Sequence, residues 1–107
     1  MIYIASPYSD PDHAVMEQRF DAVCRYAGRL MNEGNVVYSP IAHCHPIAVR
    51  VGLPREWAFW KQFDTVMLTA ATSMHVLRLP GWENSKGVRA EREIAERLGL
   101  YIKEVDP

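Results

Sequence analysis

The chain has 107 residues, of which 49% are hydrophobic, so we expect a single domain over residues 1–107 with one core. Its 12 basic and 13 acidic side chains nearly cancel, which excludes the charge pattern of proteins that bind nucleic acid or membrane surfaces and indicates a small substrate. No apolar run is long enough for a membrane span, and Cys24 and Cys44 fit no disulfide or metal spacing, so we expect a cytoplasmic protein with reduced thiols.

Strands and helices alternate along the sequence. In chain order, the pattern predicts a strand at Met1–Ser6, a helix from Asp10 to about Glu33, a strand at Asn35–Ser39, a loop or short helix over 40–54, a helix at Trp57–Ala71, a strand at Met74–Leu79, a helix at Ser85–Gly99 and a strand at Leu100–Glu104. Asp10 as N-cap and Pro11 at the first helical position mark the start of the first helix. The alternation predicts an α/β fold, a small doubly wound parallel sheet of four to five strands with helices on both faces.

Two carboxylates fall inside apolar helical stripes. At about 100° per residue, the last helix places Glu91 in the middle of an arc formed by Gly87, Val88, Ile94, Ala95 and Leu98. The preceding helix places Asp64 in the centre of its own apolar face. A carboxylate aimed at the core costs several kcal/mol unless it is paired, solvated or neutralised. The two acids therefore suggest a paired acidic site in a pocket; the alternative is that each is a structural acid bonded to a backbone amide or an arginine.

Further candidates lie where strands are predicted to end, because doubly wound sheets bind ligands at that edge. Residues 7–9, 40–45 and 81–87 all fall there. Ser85, at the start of the last helix, either contacts a phosphate or simply caps the helix. Arg19 reaches a phosphate or an acid, or it is a solvated helix arginine, which is the favoured interpretation.

Two sets of side chains near the same edge have competing interpretations. Tyr3 either points its hydroxyl at a carboxylate in the pocket or packs as an ordinary strand residue. His43, Cys44 and His45 look like a metal triplet but lack further ligands at a convincing spacing. A polar loop near the substrate is therefore favoured over a zinc site.

The stretch Tyr3-Ile4-Ala5-Ser6-Pro7-Tyr8 and the pattern Ser85-x-Gly87-x-x-x-Glu91-x-x-x-Ala95 resemble the nucleoside 2-deoxyribosyltransferase family, and the resemblance covers nearly the whole chain. It implies a flavodoxin-like fold with Glu91 as nucleophile, Asp64 holding the sugar and managing the base, and Tyr3 orienting the nucleophile. A serine at the position of Ser85 resembles the branch of nucleotide 5′-monophosphate N-glycosidases. We expect substrate contacts from Ser6, Tyr8, Ser9, Arg19, Ser85 and Gly87, with no cofactor and no metal.

The function predicted from this resemblance is displacement at C1′ of a (deoxy)nucleoside or nucleoside 5′-monophosphate. Glu91 would attack as a carboxylate, kept ionised by the helix N-terminus, and form a covalent glycosyl intermediate. Asp64 would bind a sugar hydroxyl or protonate the departing base, and water or a second base would resolve the intermediate. A non-catalytic nucleotide-binding module and a NAD-like glycohydrolase are the alternative functions.

The expected partners are a small nucleoside or nucleotide and a second copy of the chain, but no nucleic acid polymer and no membrane. Trp57, Phe59, Trp60 and Phe63 lie close together on one predicted helix. They form more aromatic surface than one small sheet can cover. We therefore expect a homodimer or higher oligomer with the Trp57–Met67 segment at its interface.

Overall fold

The computed structural model describes all residues from 1 to 107 and has the predicted α/β architecture. The elements in chain order are β1 (Ile2–Ala5), α1 (His13–Asn32), β2 (Val37–Tyr38), α2 (Pro40–Val51), α3 (Trp57–Ala70), β3 (Ser73–Leu77), a short 3-10 turn (Trp82–Asn84), α4 (Lys86–Arg97) and β4 (Tyr101–Val105). The four strands are all parallel and lie in the order β2-β1-β3-β4. The prediction of a small doubly wound, flavodoxin-like sheet is confirmed, with four strands.

Side chains of successive strand residues point to opposite faces of the sheet, and this alternation divides the core in two. Tyr3 and Ala5 of β1 face α3 and α4, whereas Ile4 faces α1. The first cluster comprises Tyr3, Ala5, Leu68, Ala71, Met74, Val76, Val88 and Ala95. The second comprises Ile4, Val23, Tyr26, Ala27, Leu30, Leu77 and Leu79. α1 and α2 thus cover one face, and α3 and α4 cover the other.

The predicted start of the first helix is wrong, and of the two alternatives for residues 40–54 the structure shows the helix. The N-cap of α1 is Asp12 and not Asp10, because the Asp12 carboxylate accepts a hydrogen bond from the Ala14 amide at 2.9 Å. Asp10 instead accepts from the Asp12 amide at 2.9 Å, so Pro11 lies in a turn between the two acids. The segment 40–54 contains a full helix, α2, whose N-cap Ser39 accepts from the Ala42 amide.

The strand order reverses between β1 and β3. From β1 the chain passes through α1 to β2 on one side, and it then returns through α3 to β3 on the other side of β1. Such a reversal leaves a crevice at the carboxyl ends of the two central strands, where doubly wound folds bind ligands. None of the helices combines the length and apolarity that crossing a membrane would require.

Candidate active site

A cavity of about 760 Å³ opens at the carboxyl ends of β1 and β3. Eight of the nine residues predicted to form the site line it, namely Ser6, Tyr8, Ser9, Arg19, Asp64, Ser85, Gly87 and Glu91. The ninth, Tyr3, is fully buried behind the cavity, and its hydroxyl donates a hydrogen bond to Glu91 Oε2. The structure therefore brings all nine to one place.

Helix packing directs both carboxylates to this cavity. Glu91 lies on the same face of α4 as Val88 and Ala95, three residues before it and four after it, and that face packs on the sheet. Asp64 precedes Leu68 by one turn on the buried face of α3. Because α3 and α4 lie side by side over the same face of the sheet, their two acids converge from neighbouring helices.

The two acids are buried with few polar partners. Glu91 is 4% exposed and Asp64 is 5% exposed. No arginine, lysine or histidine forms an ion pair with either of them. Asp64 Oδ1 has no hydrogen-bond partner at all. The structural alternative, an acid neutralised by an arginine or a backbone amide, therefore does not describe this pair.

Burial shifts the protonation of both acids. Loss of solvation raises the pKa of Asp64 from 3.8 to about 6, and the Tyr3 hydroxyl partly opposes this shift. Loss of solvation, followed by the charge of Asp64, raises the pKa of Glu91 well above its usual value, again opposed by Tyr3. Burial and the two acids also raise the pKa of Tyr3, so its hydroxyl remains a donor. Desolvation thus opposes ionisation of either acid, and the charge of Asp64 further opposes ionisation of Glu91 beside it.

The expectation that the helix N-terminus keeps Glu91 ionised is wrong. Glu91 lies in the second turn of α4, which begins at Lys86. The field of a helix terminus falls off within its first turn. The group that favours the charged form of Glu91 is the Tyr3 hydroxyl.

The start of α4 forms one rim of the cavity. Ser85 caps the helix, since its Oγ accepts from the Val88 amide at 3.2 Å, and its own hydroxyl hydrogen remains free to donate. A side-chain carbon on Gly87 would lie 3.9 Å from Glu91 Oε1 and from Ser85 Oγ. The Glu91 oxygen near Gly87 is therefore Oε1, the one that Tyr3 does not bind.

Arg19 connects the loop that follows β1 to the loop that follows β3 through hydrogen bonds to their main-chain carbonyls. The interpretation of Arg19 as a solvated helix arginine is therefore wrong. Its Nη1 donates to the carbonyls of Tyr8 at 3.2 Å and Ser9 at 3.1 Å. Its Nη2 donates to the Pro80 carbonyl at 3.1 Å. A glycine at position 81 allows this contact. Its φ is 92°, and any side-chain carbon there would lie 2.8 Å from Arg19 Nη2.

Sequence reasoning placed residues 40–45 at this edge but did not predict that α2 and α3 form a wall of the cavity. The α2 residues Ile41, Cys44, His45 and Ala48 line it together with Trp57 and Trp60 of α3. The α2 residues are spaced i, i+3, i+4 and i+7, a pattern that would have identified this face if the helix had been chosen over the loop for residues 40–54.

The triplet His43, Cys44 and His45 does not form a metal site, because consecutive helical residues point about 100° apart. His43 packs near Tyr38, Cys44 faces the cavity, and His45 packs against Phe20. No group of three or more potential ligands is arranged to hold a metal ion. The expectation of polar residues near the cavity does hold for Cys44 and His45.

Comparison with known families places the chain without assigning an activity. Residues 1–106 match the family model described as a domain of unknown function, DUF1937, and the chain belongs to this family. No curated protein matches the chain.

Proposed function

We propose that this protein cleaves the N-glycosidic bond of a (deoxy)nucleoside or nucleoside 5′-monophosphate, with Glu91 as nucleophile and Asp64 as the acid. The observation that supports the proposal is a buried pair of acids that lines one cavity, with raised pKa values and with Tyr3 donating a hydrogen bond to Glu91. Retaining glycosidases use such a pair, one group attacking the sugar carbon while the other protonates the leaving group. The resemblance to nucleoside 2-deoxyribosyltransferases assigns the same roles.

The first step uses the two oxygens of Glu91 differently. Oε2 accepts from Tyr3, and Oε1, under Gly87, attacks C1′ of the sugar. In the reactive form Asp64 is protonated and Glu91 is ionised. The C1′–N bond breaks, its electron pair leaves with the base, and the Asp64 proton passes to a base nitrogen or oxygen. Two observations support this role: Asp64 lines the cavity, and its buried Oδ1 has no other hydrogen-bond partner.

The second step returns Glu91 and Asp64 to the protonation states in which they began. A water oxygen attacks C1′ of the glycosyl ester, the C1′–O bond to Glu91 breaks, and the water proton returns to Asp64. A second base in place of water would give transfer rather than hydrolysis. Tyr3 stabilises the Glu91 carboxylate that leaves in this step and attacks in the first.

The polar rim supports a 5′-phosphate on the substrate. Ser85 offers a free hydroxyl hydrogen at the N-terminus of α4, and Lys86 follows it on the cavity wall. Helix N-termini attract anions through their exposed amides and the helix dipole. Ser6 Oγ, buried and unpartnered at the end of β1, offers one more hydroxyl to the sugar or the phosphate.

Release of free base tests the proposal directly. The protein is incubated with a panel of nucleosides, nucleoside 5′-monophosphates and NAD⁺, and the products are separated by chromatography. We expect base release by the wild type and a loss of several orders of magnitude in Glu91→Gln, with nucleotide binding retained. The matched control is Glu93→Gln, an exposed acid on the same helix, which should leave activity unchanged.

Thermal stability separates a catalytic Glu91 from a structural one. Glutamine still accepts from Tyr3 but carries no charge, so Glu91→Gln should keep or raise the melting temperature at pH 7. A lower melting temperature, together with no base release from any member of the panel, would contradict the proposal and favour a nucleotide-binding module.

A further inference from the structure

Three hydrogen-bonded side chains connect the surface of the protein to the cavity, and the proposed reaction steps do not use them. Glu17 of α1 has a side chain that is 62% exposed, His45 of α2 is 5% exposed, and Tyr8 lines the cavity after β1. His45 Nε2 lies 2.7 Å from Glu17 Oε1, and His45 Nδ1 bonds the Tyr8 hydroxyl. We call these residues the Glu17–His45–Tyr8 triad.

The imidazole at the centre of the triad is held in one orientation. The Phe20 ring packs on it with 4.4 Å between ring centroids and 33° between ring planes. The Tyr8 ring meets it edge-on with 5.3 Å between centroids. Both ring nitrogens have partners, so His45 is a buried polar group whose hydrogen-bonding capacity is satisfied.

The carboxylate at the surface end sets the direction of both hydrogen bonds. A carboxylate only accepts, so the hydrogen of a neutral His45 ring is on Nε2, and Nδ1 accepts from Tyr8. Burial, followed by the charge of Glu17, raises the pKa of Tyr8, so its hydroxyl keeps its one hydrogen. Because that hydrogen points to His45, the Tyr8 oxygen has only lone pairs left for another partner.

Neighbouring donors leave this oxygen free. Arg19 bonds the main-chain carbonyl of Tyr8 at 3.2 Å and not its hydroxyl. Arg55, which also lines the cavity and whose charge reaches Tyr8, donates to the Asp10 carbonyl at 3.3 Å. The Tyr8 oxygen is therefore an acceptor of fixed direction that a ligand in the cavity can use.

We propose that the Tyr8 oxygen accepts a hydrogen bond from a sugar hydroxyl of the ligand, and that Glu17 and His45 are positioning residues that keep the Tyr8 hydroxyl from donating instead. The inference rests on the proposed function. If Glu91 attacks C1′, the sugar lies beside β1, which carries Tyr3 and leads into Tyr8. Phosphate oxygens and base carbonyls are acceptors and would face a lone pair at Tyr8, whereas a hydroxyl can donate. A ligand without that hydroxyl would leave the oxygen unpaired.

Deleting the hydroxyl from the ligand and from the protein tests this contact. The probes are adenosine and cytidine 5′-monophosphates and their 2′-deoxy and 3′-deoxy analogues, titrated calorimetrically into a Glu91→Gln background that cannot turn over. Loss of the contacting ligand hydroxyl should weaken binding by roughly 3- to 10-fold, the contribution of one hydrogen bond, and by much less in Tyr8→Phe. Tyr101→Phe, at an exposed tyrosine of β4, is the matched control and should keep the full effect.

Nitrogen NMR of the imidazole tests the role of Glu17. At pH 8 the assigned ¹⁵N spectrum of wild-type His45 should show hydrogen on Nε2 alone. A glutamine can accept from Nε2 or donate to it, so in Glu17→Gln the second tautomer should appear and discrimination against the deoxy analogue should fall. A merely structural Glu17 would change stability without changing the tautomer. Asp21→Asn, which removes an exposed charge from the same helix, should change neither.

Three results would overturn the inference. Hydrogen on Nδ1 of wild-type His45 would mean that Tyr8 donates into the cavity. Equal effects of both ligand deletions in Tyr8 and Tyr8→Phe proteins, or no binding of either nucleotide, would remove the sugar contact. An unchanged His45 tautomer in Glu17→Gln would remove the positioning role.

The proposed function can fail separately. If the wild type releases base but neither ligand hydroxyl is coupled to Tyr8, the triad has no part in recognition and the glycosidase remains. If Tyr8 is coupled to a ligand hydroxyl but no base is released from any nucleotide, the sugar contact remains and the glycosidase is wrong.

Discussion

Replacing Asp64 with asparagine should make the protein more stable at neutral pH and equally stable in acid. The Asp64 carboxyl is buried without an ion pair, and its pKa is raised from 3.8 to about 6. Between these two pH values the folded protein keeps a proton that the unfolded chain has released. The free energy of unfolding of the wild type therefore falls as pH rises through this range. Asparagine does not titrate, so the variant lacks this fall.

The magnitude follows from the size of the pKa change. A rise from 3.8 to about 6, at about 1.4 kcal/mol per pKa unit, lowers the stability of the wild type above pH 6 by on the order of 3 kcal/mol. For a domain of this size that corresponds to about 10 °C or more in melting temperature. The difference between variant and wild type should thus grow from near zero below pH 3.8 to its full value above pH 6.

Urea unfolding followed by tryptophan fluorescence at pH 4, 5, 6, 7 and 8 measures this difference. The informative quantity is its pH dependence, because any fixed cost of a buried amide is the same at every pH. Asp21→Asn is the matched control, since Asp21 is exposed and pairs with Arg25 on the surface of α1. A difference that does not change with pH, or that shrinks as pH rises, would refute the argument that desolvation dominates at Asp64.

Tyr3, Gly87 and the surface of α3 each support a further prediction. Tyr3→Phe removes a hydrogen bond that favours ionised Glu91, so kcat/KM for base release should fall by about 10- to 100-fold and its acid limb should move to higher pH. Gly87→Ala adds a methyl group 3.9 Å from Glu91 Oε1, an ordinary contact for the fold but a substituent beside the attacking oxygen. Its KM should rise while its melting temperature holds or increases. Phe63 and Val66 are 44% and 67% exposed on α3, and light scattering should show a dimer of about twice 12.2 kDa; a particle of 12.2 kDa would contradict this.

The elements that follow local rules were predicted from the sequence, and so were the two central acids. Alternating strand and helix patterns are local, and they give the parallel sheet directly. Glu91 and Asp64 were identifiable because a carboxylate on the apolar face of a helix is energetically unfavourable unless it has a function or a partner. The helical period says which face of a helix is buried. For the last helix this period also predicted that Leu98 is buried. Leu98 lies just past the last turn of α4, however, and is 43% exposed.

The parts that sequence reasoning missed depend on contacts between distant residues or on helix breakers within an element. Pro46 and Gly52 left the segment after β2 open between a loop and a short helix. In the structure Pro46 lies inside α2, and Gly52 ends that helix in the left-handed conformation. Arg19 donates to main-chain carbonyls, one of them at Pro80. Because every residue has such a carbonyl, the sequence gives no signal for these contacts. Trp57 and Trp60 were expected to cover a partner, but both line the cavity.

Unpartnered buried polar atoms connect the stability of this fold to its proposed chemistry. Native proteins satisfy most buried polar atoms, because each one left without a partner costs free energy and adds nothing to folding. Only Ser6 Oγ and Asp64 Oδ1 lack partners among the buried side-chain atoms, and both residues line the same cavity. A nucleotide bound with its base beside Asp64 would give the buried carboxyl a hydrogen-bond partner and would bring C1′ toward Glu91 Oε1. The interaction that satisfies the buried acid is then the one that activates the leaving group, so a ligand that lacks a base should neither restore the lost stability nor react.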